Sequence, residues 1–469
     1  MMENLRKYGI FIPLIFAALG ANELITRQFW FDESLTLLNF ALLPAEKIYF
    51  SYAIPNNHIL YTYLLHWHYL AAPSGVAPDV WCRILSLAIA FGFIIFSYWS
   101  IRKTAYRILL AAFAATLPFA IYATSVRGYI AALFFSAFVL HFACEFARTG
   151  GVRAGILYFL SSLGCVAVLP SDIMVCAAAV VYAFPLCGKN FLRTKRFYLL
   201  ALIPVAAFVL FWMPIYPQLY AASRLGEGWQ SPWRVLGAVS ATFAAVCPVP
   251  LLCSLPLVFI RKKWRIMDLR LAAFLIVVPL IFFTKAAPFP RVFFPFFGVF
   301  LAVLAQYFQT FLAVVRKNLR GKHKQVFAAI SIAAVTVSAL TSWIPASRSL
   351  LNRINGSDAD DYFTPWYIRP EHTPAAAAET IAKLDYPVCY MSFNSDPWSV
   401  MFYSALRGVD MSKFVFDGPR GKTSSLPNNT LVILNVNEDS SVIEKRFQGV
   451  CRKLWQSSHH NILRFSGGH

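Results

Sequence analysis

Tyr8-Gly9-Ile10-Phe11-Ile12-Pro13-Leu14-Ile15-Phe16-Ala17-Ala18-Leu19-Gly20-Ala21-Asn22-Glu23-Leu24-Ile25 is an apolar run with one charge, and Trp30-Phe31-Asp32-Glu33-Ser34 follows it closely. Its length suits the ~20 residues that cross a ~30 Å hydrocarbon core. Arg6 and Lys7 precede it, and a cleaved leader ending near Ala18-Leu19-Gly20-Ala21 is one reading. We read a retained span, because membrane-embedded sequence continues beyond it.

The rest of the chain repeats this pattern. Apolar residues make up 58% and charged residues only 14%, and mean hydropathy is +0.57. Soluble domains carry about a quarter charged residues, so this balance points to lipid. Backbone polar groups in lipid need internal partners, and no strict apolar-polar alternation suggests a barrel, so helices are expected. About eleven spans are predicted, over 8–25, 80–100, 108–124, 129–147, 154–170, 172–187, 197–213, 234–260, 271–284, 292–315 and 325–344.

The net charge of +20 is distributed in a way that argues against a nucleic-acid partner. With the N-terminus cytoplasmic, 21 of the 42 Lys and Arg fall in inside segments and 8 in outside loops and span ends. That asymmetry sets the orientation. The apolar segment 58–72 is an alternative span, but counting it would invert every later loop. It is therefore assigned to a long outer loop, 26–79, with amphipathic helices near 34–48 and 58–71 on the membrane surface.

From Ala346 the composition turns polar and mixed in charge. Val388–Phe393, Phe414–Phe416 and Leu431–Val436 read as strands, and Thr373–Leu384 as a helix with a Thr-Pro start. The expected organisation is an all-α polytopic membrane domain over 1–345 and a small soluble α/β domain over 346–469, extracytoplasmic in this topology. Cys389 and Cys451 lie in that second domain, where a disulfide is open.

Acidic residues are rare before Ala346: there are ten, and almost none falls at a span centre. Ion-coupled transporters need ionisable groups at mid-membrane, so the pattern speaks against a pump or symporter. Seven map instead to the outer boundary: Glu23, Asp32, Glu33, Glu46, Asp79, Asp172 and Glu227. Asp32-Glu33 stands out, directly after the first span and ahead of the amphipathic Leu35–Leu43.

A first span, Phe31-Asp32-Glu33 on an outer loop and Pro55-Asn56-Asn57-His58-Ile59-Leu60-Tyr61 two dozen residues on resemble the GT-C glycosyltransferases. The likeness is to the dolichyl-phosphate-mannose protein mannosyltransferase and ArnT-like (RgtA/B/C/D-like) branch. Arg83-Ile84-Leu85-Ser86 resembles that family's Arg-Leu-Pro-Ser, and Arg127-Gly128-Tyr129 its Arg-x-Tyr in the second outer loop. The resemblance covers about residues 8–180 by motif and the remainder by topology.

It implies a GT-C-like fold and transfer of a sugar from a polyprenyl-phosphate donor to a lipid, glycan or protein acceptor. The setting would be the outer face of a bacterial inner membrane, with the protein a monomer. It implies Asp32 as general base, with Glu33 beside it as a second catalytic candidate. A lone base suits inversion, whereas retention needs a second carboxylate close by. His58, Asn57, Arg127, Tyr129, Lys285 and Arg291 are the substrate-binding candidates, the cations facing the leaving phosphate.

Two departures matter. Ser125 stands where relatives often carry an acidic residue, and Asn56-Asn57-His58 replaces Lys-Pro-Pro. No cofactor is therefore expected and metal-independent action is preferred, although Glu33, Glu46 or Asp172 could complete a divalent site. An ArnT-type aminoarabinose donor is disfavoured.

Plainer readings stand beside these. Asp32-Glu33 can simply cap a helix, His58 can cap or bridge, Asp172 can cap, and Arg127, Lys285 and Arg291 can anchor at headgroups. The rival functions are an O-antigen ligase or polymerase and a lipid-linked sugar flippase.

Overall fold

The structure, a computed structural model, describes residues 8–188 except 53, 195–224, 231–260, 290–318, 321–344, 373–416 and 425–467, with 273, 281, 282 and 423. The expected span 271–284 and Lys285 lie outside the described residues, apart from those isolated positions. The chain packs as two compact units: Met1–Ile25 with Pro44–Pro365, and Thr26–Leu43 with Trp366–His469.

The first unit is helical. It runs α1 (Phe11–Leu24), then, after the Thr26–Leu43 excursion that carries α2 (Phe31–Thr36), through α3 (Ala45–Ile48), α4 (Ile59–Leu70) and α5 (Pro78–Ser100). It continues with α6 (Thr104–Ala114), α7 (Leu117–Ala123), α8 (Tyr129–Thr149), α9 (Val152–Val168) and α10 (Ile173–Ala183). Then come α11 (Lys195–Trp212), α12 (Tyr216–Arg224), α13 (Pro232–Val246), α14 (Pro248–Ile260), α15 (Phe297–Asn318) and α16 (His323–Trp343).

Among the described residues six helices are long and apolar enough to cross a membrane, and up to eight if each bent pair counts as one span. Both bends have local causes. Thr116 caps α7, its hydroxyl accepting from the Phe119 amide, and α6 and α7 meet at 73°. The expected continuous span 234–260 breaks at Cys247-Pro248, where α13 and α14 meet at 96°. Proline at the first helical position starts a new helix readily but cannot supply the N–H that would continue the old one.

The expected amphipathic helix 34–48 also differs from what forms. Pro44 divides it, leaving α2 with a π-turn over Leu37–Ala41 on one side and α3 on the other. The helix expected at 58–71 does form, as α4.

The interior of this unit is built on α8, which packs against α5, α9, α10 and α15. Gly150, left-handed at φ 65°, ends α8, a conformation that costs glycine nothing. Phenylalanines fill the centre: Phe297 stacks on Phe113 at 4.7 Å and on Phe243 at 4.3 Å.

The second unit holds one five-stranded sheet, β1 (Cys389–Met391), β2 (Phe414–Phe416), β3 (Thr430–Asn435), β4 (Gly449–Gln456) and β5 (His460–Gly467), in the order β2-β1-β3-β5-β4. β1 is parallel to both β2 and β3, while β5 is antiparallel to β3 and β4. The helices are α17 (Pro374–Ala382), α18 (Pro397–Ala405) and α19 (Ser440–Phe447).

Alternation gives the sheet two apolar faces. Cys389, Met391, Leu431, Ile433 and Ile462 form one with α17 and α18. Tyr390, Val432, Leu434, Leu463 and Phe465 form the other with α19. The three expected strands and the expected helix are present; the β4–β5 hairpin was not anticipated. Cys389 and Cys451 are both free. Their strands, β1 and β4, are separated by β3 and β5, roughly 14 Å at ~4.8 Å per strand, beyond disulfide reach.

The expected boundary at 345/346 differs from the observed division in one respect that bears on function: Thr26–Leu43 packs with the C-terminal part. Leu38 packs on the core of the sheet's first face. The Gln28 side-chain carbonyl accepts from the Ala375 amide at 2.8 Å, and the Tyr403 hydroxyl accepts from the Phe29 amide at 2.8 Å.

Candidate functional site

In the first unit, four of the candidates meet. His58 sits at the N-terminus of α4, Arg127 and Tyr129 at the turn into α8, and Arg291 ahead of α15. All four are less than a tenth exposed. The Tyr129 hydroxyl accepts from Arg291 Nε at 3.2 Å and from Arg127 Nη2 at 3.5 Å. Arg127 Nη1 also donates to the Asn56 carbonyl at 3.2 Å and to the Asn56 side-chain oxygen.

Backbone geometry sets the histidine's tautomer. His58 Nδ1 accepts from the Gly128 amide at 2.9 Å. The proton of the neutral ring is therefore on Nε2, which is buried and has no partner among the described residues. Burial first, and the nearby Arg127 and Arg291 cations second, push the ring's pKa well below its ordinary value. His58 is thus a neutral donor beside two guanidiniums. Gly128 makes this possible, since a Cβ there would meet the imidazole and come within 2.7 Å of Val168 Cγ1.

The flanking motifs hold this corner in place. The Ser86 hydroxyl donates to the Ser125 carbonyl at 2.6 Å and lies 2.7 Å from the Tyr61 hydroxyl, so α4, α5 and the turn before α8 are tied together. Arg83 donates to the Ile25 carbonyl at 3.3 Å, at the end of α1. Asn57 is engaged with its own loop. It donates to the Ile48 and Ser51 carbonyls and accepts from Thr62. Its neighbour Asn56 meets Arg127 instead, a distinction that the motif alone did not make.

A neutral N–H donor and two buried guanidiniums form a setting that suits a multi-oxygen anion. Among the described residues no three His, Cys, Asp or Glu gather as a metal-ligand set.

Asp32 and Glu33 belong to the second unit, in the first turn of α2, where carboxylates oppose the helix dipole favourably. Their surroundings differ. Glu33 is fully buried and paired bidentately with Arg27, at 2.8 and 3.0 Å, and it accepts from the Trp30 amide at 3.3 Å. Asp32 is half-buried, and its carbonyl accepts from the Thr36 hydroxyl at 2.7 Å.

A third carboxyl, Asp396, lies on the adjoining element and has no counterpart in the sequence motifs. It is 2% exposed, and its Oδ1 accepts from the Ser399 amide at 3.4 Å at the N-terminus of α18. Burial, with small additions from Asp32 and Glu33, pushes its pKa up to about 7 against the Ser399 hydrogen bonds. The only local hint in the sequence is Asp396-Pro397-Trp398-Ser399, a helix-start pattern.

No protein-family model matches the chain, and no curated protein matches it. Solved structures do share its fold. ArnT from Cupriavidus metallidurans bound to undecaprenyl phosphate superposes with a TM-score of 0.54 at 11% identity, covering 97% of this chain and 98% of that one. The same protein in the apo state gives 0.52 at 12% identity, covering 97% of each chain. The chain is a multi-pass membrane protein with a GT-C, ArnT-like fold, as its motifs implied.

Proposed function

We propose that this chain is a membrane glycosyltransferase that moves a sugar from a polyprenyl-phosphate donor to an acceptor hydroxyl or amine. The reaction takes place at the outer face of a bacterial inner membrane, with the N-terminus cytoplasmic. The observation that carries this reading is the buried group of His58, Arg127, Tyr129 and Arg291. Its donors suit a phosphate, and the fold is shared with an ArnT bound to undecaprenyl phosphate.

In the proposed step the acceptor's proton passes to Asp32 as the acceptor atom bonds the anomeric carbon. The bond from that carbon to the phosphate oxygen breaks, and the electron pair leaves on the polyprenyl phosphate. Arg127, Arg291 and the His58 N–H stabilise the negative charge that develops there, while Tyr129 spaces the two guanidiniums. Direct displacement inverts the anomeric centre. Glu33, bound to Arg27, supports the turn that carries Asp32, and no cofactor is invoked.

The test is sugar release in nanodiscs from undecaprenyl-phosphate hexoses, with a bacterial envelope-lipid extract as acceptor source. Asp32→Asn should lower turnover by roughly 10²-fold or more, the scale of a positioned base. Full turnover in that variant removes Asp32 as the base. Undiminished lipid-linked sugar translocation with no transfer would identify a flippase.

A further inference from the structure

Asp396 follows the carboxyl end of β1, the middle one of three parallel strands. Ligand and catalytic groups of parallel α/β sheets gather beyond such ends. The backbone there is unusual: Asp396 is left-handed, at φ 53° and ψ 60°, and precedes Pro397. A residue before proline is ordinarily held extended, and few side chains tolerate the left-handed region. That conformation turns α18 so that its first turns lie along α2. Ser34 and Ser399 are joined hydroxyl to hydroxyl at 3.3 Å, Phe31 meets Phe393 edge-on at 5.3 Å, and Phe29 meets Phe402 at 4.9 Å.

We infer that Asp396 is a positioning residue for Asp32: it sets the charge beside the base and fixes the α2 turn that presents it. This rests on the reading of Asp32 as the base. The charged and titratable groups around Asp396 come from several elements. α2 supplies Asp32 and Glu33, the latter bound to Arg27. β5 supplies His460, 3.0 Å from the Ser395 carbonyl, and the turn after β3 supplies Glu438, which binds Asn394.

The three carboxyls are therefore sorted by their surroundings. Glu33 is matched by a guanidinium, Asp32 reaches solvent, and Asp396 is buried and holds its proton until about neutrality. Divergent environments of this kind separate acid and base roles on one site. As Asp396 ionises, it adds a negative charge beside the α2 turn, which favours the positive charge that develops on the attacking acceptor as it gives up its proton.

The experiment measures the pH dependence of kcat and KM in nanodiscs, with undecaprenyl-phosphate hexose as donor and the envelope-lipid extract as acceptor source. The variants are Asp396→Asn and Asp396→Ser, both of which can still cap α18, and Asn also tolerates the left-handed backbone. The wild-type kcat should rise about three- to tenfold from pH 6 to pH 8, as a negative charge arriving beside the reacting acceptor implies. Both variants should give a flat profile with KM little changed.

A uniform loss at both pH values, or a variant that keeps the wild-type rise, overturns the inference. Asp32→Asn is run in parallel. If it keeps full turnover, or the wild type transfers no sugar, the base assignment fails and this inference falls with it. If Asp32→Asn is inactive while Asp396→Asn keeps the rise, only the role of Asp396 is lost.

Discussion

Arg27 and Glu33 form a buried two-armed ion pair, Nη1 to Oε2 at 2.8 Å and Nη2 to Oε1 at 3.0 Å, six residues apart across the start of α2. The pair closes the turn in which Asp32 sits. Glu33 thus resembles a brace more than a second base, although the two acids are adjacent in sequence.

Removing one half of this pair should destabilise the second unit. Breaking a buried pair costs about 3–5 kcal/mol, because the remaining charge is left unbalanced. Glu33→Gln is expected to lower the thermal midpoint clearly. Arg27→Met with Glu33→Leu should recover much of the loss, because neither charge is then stranded. Equal midpoints for the single and double variants would show that the pair is not what holds the turn.

Folding stability should carry the signature of Asp396. Its folded pKa, about 7, lies above the unfolded carboxyl value of ~3.9. The folded state therefore binds the proton more tightly, and the stability it adds is complete below about pH 4. That contribution is lost as pH rises towards 7 and changes little beyond. Chemical unfolding of the full chain in detergent, followed between pH 4 and 8, should show this decline. Asp396→Asn should remove that component of the slope.

Gly128→Ala should impair donor use without unfolding the protein. The backbone at Gly128 is ordinary, φ −69°, so alanine is conformationally acceptable there. The added methyl would, however, press on the imidazole and on Val168 Cγ1. His58 must then move and lose the Gly128 amide. The expected outcome is a KM for the polyprenyl-phosphate donor raised about tenfold, the scale of one lost buried hydrogen bond, with an unchanged elution profile in detergent. An unaltered KM would detach His58 from the donor.

Arg127→Lys should not behave as a conservative change. A lysine cannot supply the fork that reaches both Asn56 and Tyr129. Donor KM should rise and kcat fall together, and Arg291→Lys should show the same pattern. Transfer assays over a donor concentration series distinguish this from a lysine that works as well as arginine.

Cys389 and Cys451 should both remain thiols. Denatured, unreduced protein should take up a maleimide at both positions, whereas a mass lower by two hydrogens, with neither labelled, would mean that the strand order is wrong.

Much of the membrane fold could be read locally. Span length, the clustering of basic residues between apolar runs and the proline-bounded helix starts each depend on a short window, because lipid selects for composition and backbone pairing stays within a helix. The same holds for β1, β2 and β3, whose apolar runs are nearly continuous. β4 and β5 escape a local reading because their apolar residues, Val450-Cys451 and Leu454-Trp455 in one and Ile462-Leu463 in the other, fall in adjacent pairs instead of alternating with polar ones, and β4 is an edge strand. The bend at Cys247-Pro248 was missed because an apolar run shows hydropathy more plainly than direction.

From the sequence alone it follows that this chain inserts in a membrane, that its helices occupy its apolar runs, and that Asp32 and Glu33 form an isolated acidic pair just after the first of those runs. Three-dimensional packing alone lays the segment carrying them onto the C-terminal sheet, sets the Arg27 guanidinium against Glu33, and brings Asp396 near Asp32. Hydropathy and periodicity act over a turn or a strand and do not fix a side-chain pair even six residues apart, such as Arg27 and Glu33, whereas the contacts between α2 and α18 join residues some 365 positions apart, such as Ser34 and Ser399. Long-range partners are chosen by shape and by burial of charge in three dimensions, and no local window of sequence contains both halves of that choice.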